Sequence, residues 1–112
     1  MMNKKILAVA SGGGHWTQLM RMMAVFEGHD VAFVGVKDMY RYDVVAYRFY
    51  AVPDVSRLNR MPILLAIFRL VLILMRERPE IVITTGSAPG MLALRLGRLF
   101  GAKTVWVDSV AN

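Results

Sequence analysis

Two short glycine-bearing stretches hold most of the residues able to do chemistry in this 112-residue chain. Ser11, Gly12, Gly13 and Gly14 run directly into His15, and Gly86, Ser87, Ala88, Pro89 and Gly90 follow Thr85. Each stretch comes after an apolar run and before a helical pattern. The first N–H groups of a helix lack partners and its positive dipole end faces outward, which suits a phosphate. Glycine lets the backbone approach a ligand closely and take positive φ. For one such loop, a tight turn with no ligand explains the residues equally well. Two at one sheet edge favour an anion, and specifically a diphosphate, with Ser11, Gly12, Gly13, Gly14, Gly86, Ser87 and Gly90 as the binding residues.

His15 opens a helix directly after the glycines, where imidazole suits a general base or a phosphate donor. Its ordinary alternative is a capping or solvent-facing histidine. Asp108 ends an apolar run, Val105-Trp106-Val107, and is a second candidate base; a turn-capping aspartate explains it equally well. Spacing does not choose between His15 and Asp108. His29 falls in a turn at the opposite end of the sheet. The dinucleotide fingerprint fits poorly, because Thr17 stands where its third glycine belongs. No Gly-Lys-Ser/Thr follows either glycine cluster, so the nucleoside-triphosphate loop is excluded. No metal-ligand set and no cofactor motif is present, and without cysteine there is no thiolate chemistry.

The elements that must position these groups alternate strand and helix. Apolar runs predict strands at 5–10, 31–36, 49–52, 80–84 and 103–107. Trp16, Leu19, Met20 and Met23 share one face of a helix expected over 15–27, which Gly28 ends. Residues 37–48 read as a loop with a short helix. A long helix opens at Pro62 and closes at Pro79, and another runs from the second glycine loop to Gly101. This alternation predicts an α/β fold: a Rossmann-like, doubly wound parallel sheet. Residues 1–112 read as one domain, expected to be incomplete at its C-terminal end.

Composition narrows the partners. Apolar residues make up 56% of the chain and the formal net charge is +6. Residues 57–103 hold eight basic side chains against two acidic ones and are also the most apolar part, which favours a lipid surface over nucleic acid. The run from Ile63 to Met75, interrupted by Arg69, is too short to span a bilayer, since a spanning helix needs about 20 apolar residues. It suits docking on a membrane, with Arg57, Arg60, Arg69 and Arg76 meeting lipid. A core helix with a narrow solvated stripe is the plainer reading. The opening apolar run, Ile6 to Ala10, is too short for a secretory signal, which needs roughly 7–15 residues.

Three ordered motifs carry a family resemblance: Ser11-Gly12-Gly13-Gly14-His15-Trp16-Thr17-Gln18-Leu19, then Arg78 to Gly90, then Val105-Trp106-Val107-Asp108-Ser109. Together they resemble an oligosaccharide-biosynthesis family. It includes the membrane-anchor subunit of the split UDP-N-acetylglucosamine transferase of asparagine-linked glycosylation and bacterial capsule and exopolysaccharide proteins. The resemblance implies the N-terminal half of a GT-B glycosyltransferase, similar to the acceptor-binding half of MurG-like enzymes. It further implies a lipid-linked glycan acceptor, on a polyprenyl diphosphate, held at the cytoplasmic membrane face. A separate catalytic subunit would bind the nucleotide sugar, a UDP-sugar. The family more often has glutamate at the position of Asp108. Its eukaryotic members carry an N-terminal membrane helix not seen here, so anchoring is expected to be peripheral. A non-catalytic membrane scaffold that recruits a transferase, and an unrelated phosphate-ester-binding domain, are the rival readings.

Overall fold

A computed structural model describes residues 3–54 and 60–107, with side chains described except at 60–62, 87 and 88. Asp108, Ser109 and Arg57 lie outside the described residues, as do the side chains of Arg60 and Ser87. Five strands, β1 (Lys5–Val9), β2 (Asp30–Gly35), β3 (Arg48–Ala51), β4 (Ile81–Thr84) and β5 (Lys103–Trp106), form one all-parallel sheet. Their order is β3-β2-β1-β4-β5. This is the Rossmann-like, doubly wound arrangement expected from the alternation of apolar runs.

The alternation of side chains along β1 explains the two-sided core. Leu7 and Val9 point to one face, where they meet Leu70 and Leu74 of α3 (Arg60–Glu77) and Ala93 of α4 (Ser87–Leu99). Ile6, Ala8 and Ala10 point to the other face, against Trp16 and Leu19 of α1 (Gly14–Met20) and Phe26 of α2 (Met23–Phe26). A strand buried on both faces must be apolar throughout, which is why β1 shows no polar alternation. A 3-10 helix over Asp38–Val44 crosses the same face as α1 and buries Val44.

Two elements depart from the sequence expectation. The single helix over 15–27 is divided, because the Met22 N–H bonds to Leu19 O and the Val25 N–H to Met22 O. These three-residue steps tighten the turn and rotate the second half, so that Phe26 is fully buried while Met23 is only half-buried. The long helix begins at Arg60, before Pro62. A proline in the first turn removes an N–H that would have had no intrahelical partner, so it does not delay the start.

α3 is also not a core helix with a solvated stripe. It buries Ala66, Leu70, Ile73 and Leu74 but exposes Leu64, Leu65, Phe68, Leu72 and Met75. Leu64, Phe68, Leu72 and Met75 follow one another at helical spacing and form a continuous apolar outer side. Among the described residues no helix is long and apolar enough to cross a membrane.

Candidate functional site

The strand order puts β1 beside β4, and this is where the direction of winding reverses. Helices that follow β1 and β4 leave on opposite faces, so a crevice opens between the two outgoing loops. Those loops are the two glycine stretches. Sequence order separates them by 70 residues; the fold makes them neighbours.

They are joined by a reciprocal pair of hydrogen bonds. His15 Nδ1 lies 3.0 Å from the Thr85 carbonyl, and the Thr85 hydroxyl donates to the His15 carbonyl at 2.6 Å. A carbonyl oxygen only accepts, so Nδ1 carries the proton. In the neutral ring Nε2 is then the unprotonated, basic nitrogen. The same contact that fixes the ring therefore chooses its tautomer. His15 is half-buried and lies against Gly86, where an added Cβ would sit 3.1 Å from His15 Cε1.

Gly12 lies against Tyr40, whose hydroxyl would stand 3.1 Å from an added Cβ, and the other loop glycines divide into three kinds. Gly13 (φ 61) and Gly86 (φ 121) hold backbone conformations that side chains disfavour. Gly90 is buried, and a methyl group there would collide with the side chain of fully buried Thr84. Gly90 thus lets α4 settle onto β4, a packing role rather than a place at the mouth of the crevice. Gly14 belongs to neither kind: its φ is not positive, and an added Cβ would meet nothing within 4 Å. The fold makes no demand for glycine there.

Backbone donors remain at both loops. Gly14, His15 and Trp16 occupy the first turn of α1, where N–H groups have no intrahelical partner. Gly13 N–H already bonds to the Tyr40 hydroxyl at 3.2 Å, and Gly86 N–H to Thr84 Oγ1 at 3.1 Å. In α4 the amides of Ser87 and Ala88 have no intrahelical partner, while Pro89 has no amide to offer. α1 has only 7 residues, so its contribution is individual amides more than a helix dipole; α4, with 13, supplies more of the latter. Ser11 is buried beneath the first loop.

Several supporting residues went unread in the sequence. Tyr40 stacks on Trp16 with ring centroids 4.4 Å apart, and Trp16 Nε1 donates to Asp43 at 2.9 Å. This brace from the 3-10 helix holds the first glycine loop from outside. Trp106 Nε1 would also lie 3.8 Å from a Cβ on Gly86, and Trp106 is half-exposed. His29, at the opposite rim, accepts the Lys4 N–H through Nδ1 at 3.0 Å.

Arg69 and Arg76 lie away from the glycine loops. Both line a groove of about 410 Å³ over β3, together with Arg41, Phe49 and Tyr50. Arg69 Nη1 donates to the Ala51 carbonyl at 3.1 Å.

No family model and no curated protein sequence matches this chain. Its fold does match solved structures. MurG of Acinetobacter baumannii aligns with a TM-score of 0.74 at 16% identity, over 96% of this chain and 36% of MurG. A glycosyltransferase of Rickettsia africae ESF-5 aligns at 0.70 and 18% identity, over 100% of this chain and 32% of that one. UDP-N-acetylglucosamine 2-epimerase of Rickettsia bellii aligns at 0.69 and 16% identity, over 94% and 31%. The chain thus spans about a third of each neighbour, and at these identities the likeness is one of fold. A transferase and an epimerase share it, so the reaction must be argued from the crevice. What the likeness settles is the architecture: this chain has the Rossmann-like fold of the N-terminal half of GT-B glycosyltransferases such as MurG.

Proposed function

We propose that this chain is the acceptor-side part of a glycosyltransferase, working with a partner chain that binds the UDP-sugar. The glycine loops hold the diphosphate of a polyprenyl-linked glycan, and the acceptor sugar sits over the crevice between β1 and β4. The observation that carries this reading is the pairing of the two loops at the switch point of the sheet through His15 and Thr85. Gly14 adds to it, since a glycine that the fold does not require is accounted for by a ligand in close approach.

In the proposed reaction, an acceptor hydroxyl oxygen forms a bond to the anomeric carbon of the donor sugar. The bond from that carbon to the UDP oxygen breaks, and UDP leaves with the electron pair. The hydroxyl proton passes to His15 Nε2, which the Thr85 carbonyl leaves unprotonated. Asp108, outside the described residues, is the other candidate for that proton.

The apolar outer side of α3 would rest on the inner face of the membrane, keeping the crevice near its lipid-linked acceptor. That side also suits the rival reading, a membrane scaffold that recruits a self-sufficient transferase. Co-expression with the nucleotide-sugar-binding chain separates the two. We expect transfer to a polyprenyl-diphosphate acceptor to need both chains, and folded His15→Ala to lower it by at least about tenfold. Full turnover by that variant demotes His15 to a structural residue; turnover by the partner alone favours the scaffold. Vesicle sedimentation tests the membrane contact: binding should rise with anionic lipid, fall with salt, and drop in Phe68→Glu.

A further inference from the structure

A groove opens at the sheet edge over β3, two strands away from β1. β3 is an edge strand of four residues. Val52 N–H points inward to Gly35 O, and the Ala51 carbonyl points outward to Arg69. In a parallel strand the direction alternates from residue to residue, so the N–H and C=O of Phe49 and the N–H of Ala51 also face outward. Among the described residues these three groups have no partner. They are the groups that one further strand would use.

The walls beside that edge are cationic. Arg41 stands on one side, bonded to Asp38 and set 5.4 Å from the Phe49 ring centroid. Arg69 and Arg76 stand on the other, seven residues apart and so on one side of α3. Arg76 makes no ion pair among the described residues. Seven helical residues rise about 10 Å, the span of three residues of extended chain. Three guanidinium groups against one carboxylate oppose the approach of a second copy of the same edge. They favour an extended chain that carries acids.

We propose that the β3 edge is a docking rail for an extended acidic segment of a partner protein, which adds to the sheet as a sixth strand and places its carboxylates on Arg69 and Arg76. Backbone pairing along the rail supplies affinity, and the spacing of the arginines selects the acidic sequence. This inference is independent of the phosphate reading of the glycine loops. It uses other residues, and either can fail alone.

The competing account of these arginines is edge protection, in which charge simply keeps β3 from pairing with other chains. A blocked peptide of alternating valine and glutamate, titrated into the isotope-labelled full chain, decides between them. The expected result is saturable shifts of the Phe49 and Ala51 amides, with affinity lowered about tenfold in Arg69→Gln/Arg76→Gln, equivalent to about 1.4 kcal/mol. An alternating valine–lysine peptide should move neither amide. Equal binding of the lysine peptide overturns the proposal. So does an absence of shifts at millimolar peptide, which together with self-association of the double variant assigns the arginines to edge protection. Shifts produced by anionic vesicles and not by the acidic peptide also overturn it, and make the groove a lipid contact.

Discussion

The two rims of the sheet solve opposite problems. At the N-terminal rim Glu77 is buried and fully engaged: Arg48 donates to both its oxygens at 2.9 Å, and Tyr50 donates at 2.5 Å. Asp30 takes a further bond from Arg48 at 2.7 Å, Lys5 Nζ lies 3.8 Å from Glu77, and Glu80 accepts the Lys5 N–H. The charges of this cluster, Glu77, Asp30, Arg48 and Lys5, are held against one another. At the C-terminal rim β1 and β4 run into glycine-bearing loops, and amides of the first turns of α1 and α4 stay open. One rim closes the fold with side chains; the other withholds them. A rim that keeps amides free, opposite one that carries a bonded charge cluster, is the side on which a ligand is to be sought.

The strongest way to break this contrast is to ask whether the C-terminal glycines serve packing alone. For Gly90 they do. Gly90→Ala forces a methyl group into the fully buried Thr84 side chain, and overpacking of this sort costs typically 1–3 kcal/mol. We expect a loss near about 3 kcal/mol by denaturant unfolding. A loss below about 0.5 kcal/mol would show that α4 lifts from β4 easily and that Gly90 belongs with the open glycines.

The next effect lies at the other rim. Burial alone would push the Glu77 carboxyl up, yet the hydrogen bonds from Arg48 and Tyr50, with the charges of Arg48 and Lys5, hold it below the usual glutamate range. A depressed folded value means that Glu77 stabilises the fold above its unfolded pKa, near about 4.3. That contribution is lost as pH falls through the lower folded value. Glu77→Gln should cost about 2 kcal/mol at neutral pH, in the range for bonds to a charged group. The gap between variant and wild type should narrow as pH drops below about 4. A gap that holds constant to pH 3 would mean that the carboxylate charge is not what secures this rim.

How far the sequence revealed each rim follows from the same contrast. Gly12 to Gly14 and Gly86 interrupt apolar runs, so the strand, turn and helix around each could be read locally. Their meeting could not, because the His15–Thr85 bonds join residues 70 apart and depend on the strand order. Gly90 looked like part of the second loop because only coordinates show that it lies over Thr84. Glu77 carried no signal at all: a charge in the last turn of a helix is ordinarily solvated, and its partners Arg48 and Tyr50 lie 29 and 27 residues away. Arg69 and Arg76 read as lipid contacts because helical spacing put them on one side of α3. That spacing did not reveal that β3 lies beneath them.

The smallest expected change in stability is the sharpest test of what the open rim is for. Gly14 sits in the first turn of α1 without positive φ and with empty space where a side chain would go. Gly14→Ala removes freedom from the unfolded chain and adds no clash, so it should leave stability unchanged or raise it by about 0.5 kcal/mol. The amide N–H survives the change, but the methyl group projects into the space a bound diphosphate would enter. Transfer with the partner chain should therefore fall several-fold while the melting temperature holds or rises. A variant that is both as stable and as active as the wild type would mean that nothing approaches the backbone there. The open amides would then be solvated helix starts, and the contrast between the rims would be one of packing alone.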